Sequence, residues 1–235
     1  MTRVFYTARF FFVVPPMPLL MIGAFAVVVV VAGVMVAIDS TRAAGTLTPI
    51  LLLQTFACSS GFDVPARRGH YDLLLTSGGT RAGIATAHWM ASSLPGALAW
   101  AALALVHELT AGNHGGTPLL DSGTVVALLL VSTIPWATTV RLPRFSGAIG
   151  WLLVVAILTP ATPSIFNGAL RPNTEYWGWI QSAFAVLVYP PLLVGRELTG
   201  DDRLLVAPAL LSAVAAVLIG IWSVGRRDIP LEAAQ

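Results

Sequence analysis

Apolar residues fall in long runs along this chain, and the polar ones gather in the short stretches between them. A bilayer core of about 30 Å takes around 20 helical residues at 1.5 Å each. Pro18 to Ile38 meets that length without one ionisable side chain. It is longer than the usual signal-peptide core, and no convincing small-x-small cleavage site follows, so it reads as a retained helix. Thr46 to Phe62 forms a second span, Ile84 to Val106 a third, Ser122 to Val140 a fourth, Gly147 to Phe166 a fifth and Leu204 to Val224 the last. A shorter run, Ile180 to Gly195, carries Pro190-Pro191 near its end and reads either as a short span or as a re-entrant hairpin arm.

The arginines orient these spans, because cytoplasmic loops carry an excess of basic residues. A cytoplasmic N-terminus puts Arg3, Arg9, Arg67, Arg68, Arg81, Arg141 and Arg144 inside and Arg42 and Arg171 outside. Arg196 and Arg203 exchange sides with Arg226 and Arg227 according to whether Ile180–Gly195 crosses fully, so charge alone does not choose between six spans and seven. Two features favour six. Prolines at membrane depth leave backbone groups that protein or water must cover, and Glu197, Asp201 and Asp202 suit an outer loop. Trp177 and Trp179 fall at the expected outer boundary, and Trp89, Trp136, Trp151 and Trp222 near the inner one, as indole rings at headgroup level do. Trp100 lies mid-span and reads as packing.

Composition agrees with this layout and narrows it. The chain has 235 residues, 56% hydrophobic and 10% charged, with a mean hydropathy of +0.81. Soluble domains carry roughly 25% charged residues, so a soluble enzyme and a disordered chain are set aside. A net charge of +2 is no nucleic-acid footprint. All thirteen basic residues are arginine. Without lysine there is no phosphate-binding loop of the GxxxxGK[ST] type and no Schiff-base chemistry. Any ATP must therefore be bound by another chain. Cys58 stands alone, so no internal disulfide or cysteine zinc cluster forms.

The predicted spans contain no Asp, Glu or Arg, and His88 is the one histidine well inside a span. Proton-coupled carriers and ion channels place ionisable groups in the bilayer. Their scarcity suits a scaffold moved by external force, or a substrate that is largely apolar. Three other constellations fall short of a site. His107-Glu108 with His114 lacks the H-E-x-x-H spacing of a zinc helix. Asp201-Asp202 has no second acidic motif, and Ser59-Ser60-Gly61 has no histidine placed as its base. Ser212, Ala216 and Gly220 repeat every four residues on the last span, a spacing that packs helices closely, within one subunit or across a dimer seam.

The longest polar loop, 63–83, is cytoplasmic in this orientation. Tyr71 to Leu75 is apolar enough for a short surface helix, preceded by Arg67 and Arg68 and ended by Ser77-Gly78-Gly79. Its residues alone allow a loop anchored to lipid phosphates or a helix that docks a partner.

This loop also carries a family signature. Arg67, Arg68, Gly69, His70, Tyr71, Asp72, Leu73, Leu74 and Leu75, followed by Thr76-Ser77, then Thr80-Arg81 and a new span, resemble the ABC-2 type transporter permeases. Their corresponding segment reads like E-R-x-x-G-T-L-E-x-L-L-x-S-P-x-S-R. Gly69 matches the family glycine, Asp72 the acidic position, Leu73 to Leu75 the leucine run and Arg81 the closing basic residue. Pro65-Ala66 stands where the family has glutamate, and Gly78 replaces its proline.

The resemblance implies an all-α membrane protein, one permease domain over 1–235. It has six transmembrane helices, a re-entrant hairpin between helices five and six and a short cytoplasmic coupling helix between helices two and three. Residues 1–16 become an interfacial segment, 63–83 the coupling loop and 167–203 an extracytoplasmic and re-entrant region. The implied function is ATP-driven export of an apolar or amphipathic substrate, with no catalysis in this chain. A separate ATP-binding subunit carries ATP and magnesium, a second permease subunit completes the pair, and no nucleic acid is involved. Arg67 to Leu75 and Arg81 couple to the ATPase. The location is a bacterial inner membrane with both termini cytoplasmic. Ala87-His88-Trp89-Met90 is also faintly similar to heme-exporter permeases of cytochrome c maturation, although His88 reads better as a packed histidine than as a heme ligand. The contrasting reading is a membrane-embedded enzyme or assembly factor with no ATPase partner.

Overall fold

The computed structural model describes residues 43–59, 70–76, 78–111, 121–141 and 203–226, together with Thr7, Ile22, Gly23, Ala26, Val27, Val30 and Leu193. Five helices account for almost all of them: α1 (Ala43–Ser59), α2 (His70–Thr76), α3 (Arg81–Ala111), α4 (Ser122–Arg141) and α5 (Arg203–Arg226). No strand occurs among the described residues. The helices α1, α3, α4 and α5 coincide with the second, third, fourth and last predicted spans. Of the first span only the few residues named above are described. The fifth span, the arm Ile180–Gly195 apart from Leu193, and the segment 1–16 apart from Thr7 lie outside the described residues.

Two helices are long and apolar enough to cross a membrane, Ser122–Arg141 and Val206–Arg226 within α5. Their surroundings differ. Most of α4 is buried inside the chain, whereas α5 leaves Leu211, Val214, Leu218 and Trp222 on an exposed stripe.

Local chemistry sets the helix ends. Asp121 caps α4: its Oδ1 accepts from the Thr124 backbone N–H at 2.6 Å and its Oδ2 from the Thr124 hydroxyl at 2.7 Å. Thr80 caps α3 by accepting from the Gly83 N–H at 3.1 Å. Pro95, Pro135 and Pro208 lie inside α3, α4 and α5. Hydroxyls bond the carbonyls around Pro135: Thr138 and Thr139 both donate to the Pro135 oxygen, at 2.8 and 2.9 Å.

Contacts fix the directions of the long helices. Gln54 lies beside Ser93, and Cys58 beside Ser92, so α1 and α3 run antiparallel. Leu51 joins Val126 to Val131 in one cluster while the Thr139 hydroxyl reaches the Ser59 carbonyl, so α1 and α4 run parallel. Ala209 and Ala213 share that first cluster, and Arg141 reaches Ser223, so α5 is parallel to α4. The bundle thus has one end holding Arg81, Arg141 and Arg226 and an opposite end holding Asp121. Two cores stack along it. Leu51, Val126, Leu130, Leu193, Ala209 and Ala213 fill the Asp121 half, and Cys58, Tyr71, Ile84, Trp136, Val140 and Val224 fill the arginine half.

Candidate functional site

The segment singled out by sequence forms α2, and its joint to α3 is closely specified. Gly78 has a φ of 84°, a left-handed backbone that favours glycine. Its N–H donates to the Leu75 carbonyl at 3.0 Å, and the Gly79 N–H donates to the Leu74 carbonyl at 3.0 Å. These two bonds form the Schellman arrangement that ends a helix on a left-handed residue. A Cβ at Gly79 would lie 2.6 Å from the Leu74 oxygen, so this position also requires glycine. Thr80 follows at once as the cap of α3, and the Ile84 N–H closes the first turn on the Thr80 carbonyl at 2.9 Å. The connection between the two helices is therefore residues 77–80, with both ends capped. Gly78, where the ABC-2 pattern has proline, now has a physical reason: proline holds φ near −65° and has no N–H to give.

Tyr71 ties α2 to the rest of the bundle. It is 0% exposed and belongs to the same core as Cys58 of α1, Ile84 of α3, Trp136 and Val140 of α4, and Val224 of α5. Leu74 and Leu75, half-buried, pack against that core. The short helix is thus seated against α3, and its Tyr71 enters the core at the arginine end of the bundle. His70, Asp72 and Leu73 lie in α2 and Arg81 opens α3. Arg67, Arg68 and Gly69 lie outside the described residues.

Beneath Tyr71 lies a buried polar pair. The Trp136 indole N–H donates to His88 Nδ1 at 3.0 Å, and both side chains are essentially inaccessible. Indole nitrogen is a donor only, so Nδ1 must be the lone-pair nitrogen and the ring proton sits on Nε2. In this arrangement neither nitrogen turns a lone pair toward a metal, and His88 is a packed histidine. Trp136 is buried rather than exposed at the arginine end. It is enclosed by α3 and α5 because its ring fills the space above Gly220, where an added Cβ would collide with it. Trp222 does sit on the surface, at 48% exposure.

Between α1 and α3 a second polar contact was not evident from sequence. Gln54 donates to the Ser93 carbonyl at 3.1 Å, and the Cys58 thiol reaches the Ser92 carbonyl at 3.5 Å, both in the turn preceding Pro95. Gln54 also fits against Gly96, which has no room for a Cβ there. Buried amides of this kind join helices in lipid, where water is not available to compete. One signal was present: Gln54 is the lone amide in the apolar run LLLQTFAC.

The small-residue row on α5 is used within the chain. Gly220 is buried against Trp136, Ala216 packs on the same core and Ser212 is half-buried. Ala209 and Ala213, fully buried, extend the contact with α4. No group of three or more His, Cys, Asp or Glu side chains comes together among the described residues. Comparison with protein-family models, with curated proteins and with solved structures finds no match.

Proposed function

We propose that this chain is the transmembrane subunit of an ATP-driven exporter of the ABC-2 type, moving an apolar or amphipathic substrate under force from a separate ATP-binding subunit. The observation that carries the reading is the seating of α2. A helix ending in a Schellman turn, joined to a 31-residue helix by residues 77–80 and keyed through buried Tyr71 into the core at the arginine end of the bundle, suits force transmission. A push on α2 has little slack to absorb it before it reaches α3. The absence of lysine fits an ATP site on another chain.

Helix directions support the six-span arrangement with a re-entrant element. α4 and α5 run parallel, so an odd number of full crossings separates them. The fifth predicted span supplies one, and a complete crossing by Ile180–Gly195 would reverse α5. Leu193 supports the same layout, because it packs with Leu51, Val126 and Ala209 in the Asp121 half, away from the arginine end. On this reading the arginine end and α2 are cytoplasmic, the Asp121 end is extracytoplasmic, and the membrane is a bacterial inner membrane.

The test is uncoupling without loss of insertion. Gly69→Trp and Asp72→Lys, each in the complex with its ATPase, are expected to reduce ATP-driven transport at least about tenfold, the scale on which lost positioning acts. Insertion is read from single cysteines at positions 141 and 226, which label from the cytoplasmic side, and at position 122, which labels from the other. Unchanged transport in both variants overturns the coupling role, and opposite labelling of 141 and 226 overturns the topology.

A further inference from the structure

Two arginines meet over one tryptophan at the cytoplasmic end assigned above. The Arg226 guanidinium carbon lies 4.5 Å from the centroid of the Trp222 ring, and that of Arg141 lies 5.5 Å from it. Arg141 also donates from Nη1 to the Ser223 hydroxyl at 3.4 Å. The two cations come from different helices, each at a C-terminus, where the helix dipole favours positive charge. The dipole explains a cation on each helix.

A second observation lies directly beside the first. The exposed stripe of α5 runs through Leu211, Val214 and Leu218 to Trp222, about one turn apart, and ends at the two guanidiniums. An apolar track leading to a pair of planar cations has the shape of an amphiphile, with acyl chains along the track and an anionic head at its end. Guanidinium forks match phosphate oxygens in geometry as well as in charge. A free phosphate would use the cations but leave the track unexplained.

We propose that Arg141, Trp222 and Arg226 form a headgroup site for an anionic phospholipid, whose acyl chains lie along the Leu211–Leu218 face of α5. The site rests on the membrane reading and on the parallel pairing of α4 with α5. It does not depend on which substrate is moved.

The test uses the full chain in zwitterionic detergent micelles, titrated separately with phosphatidylglycerol, with phosphatidylcholine of the same acyl chains, and with inorganic phosphate. Bound lipid is counted by native mass spectrometry, and the unfolding midpoint is followed in parallel. Phosphatidylglycerol is expected to bind and raise the midpoint, with phosphatidylcholine about tenfold weaker or more. The double variant Arg141→Gln/Arg226→Gln is expected to lose roughly thirtyfold in phosphatidylglycerol affinity, the scale of two basic residues at an anionic surface. Arg141→Lys/Arg226→Lys keeps the charge but not the planar forks and is expected to fall between. Equal binding of the glutamine variant and the wild type overturns the site, and inorganic phosphate binding as tightly as phosphatidylglycerol overturns a lipid as its ligand. A chain that fails to insert into vesicles defeats the membrane reading itself, whereas one that inserts but shows no arginine-dependent lipid preference defeats this site alone.

Discussion

Trp136→Ala is expected to lower the unfolding free energy of the chain in micelles by roughly 3 kcal/mol, at the low end for a large buried aromatic. The low end applies because helices in lipid gain little from hydrophobic transfer and rely on packing and hydrogen bonds. Trp136 touches three helices at once: it donates to His88 of α3, stands on α4 and covers Gly220 of α5. Trp136→Phe keeps most of the ring but removes the N–H, and its expected cost is about 1 kcal/mol. Gly220→Val introduces the collision from the other side and should cost roughly 1–3 kcal/mol through overpacking. Reversible denaturation reads all three. Equal losses for the alanine and phenylalanine variants would mean that the hydrogen bond, rather than the ring, holds the helices together. A neutral Gly220→Val would place the ring elsewhere.

Gly78→Pro is expected to have the largest effect on transport relative to its effect on folding. At a φ of 84° proline cannot fit, and its missing N–H removes the bond to the Leu75 carbonyl. Gly78→Ala keeps the N–H and bears only the left-handed penalty of about 1–2 kcal/mol. The disruption is confined to residues 77–80, so the long helices should remain packed while α2 loses its fixed angle to α3. ATP hydrolysis by the complex should then continue with transport reduced at least about tenfold, since misplacement by an ångström is enough for such losses. The alanine variant should retain most transport. Transport at the wild-type level in Gly78→Pro would show that the angle between α2 and α3 is not used.

Hydropathy made the four long helices legible, because a run such as Ser122 to Val140 is long and apolar enough to form a buried or membrane-crossing helix. The short helix and its glycine stop were legible for local reasons: Ser77-Gly78-Gly79 supplies the backbone freedom that a Schellman turn needs. What the residue order did not reveal are the contacts between helices. Whether Trp136 faces lipid or core depends on a glycine 84 positions later in the chain. The Gln54 contact likewise depends on Gly96 opposite it, and neither residue announces the other. The small-residue row was visible as Ser212, Ala216 and Gly220, but the buried face also includes Ala209 and Ala213, because the apolar identity of α5 is uniform around its axis. Arg67, Arg68 and Gly69 carry the resemblance most directly and lie beyond what the structure describes.

The most direct measurement is the composition and ATPase activity of the complex isolated from native membranes through a tag on this chain. An ATP-hydrolysing subunit is expected in equimolar amount, with two copies of each chain or two related permease chains. A photoreactive residue at position 70, the start of α2, should cross-link to that subunit. A stable, functional chain isolated without any ATP-binding partner would contradict a force-driven permease and favour a membrane protein that acts alone.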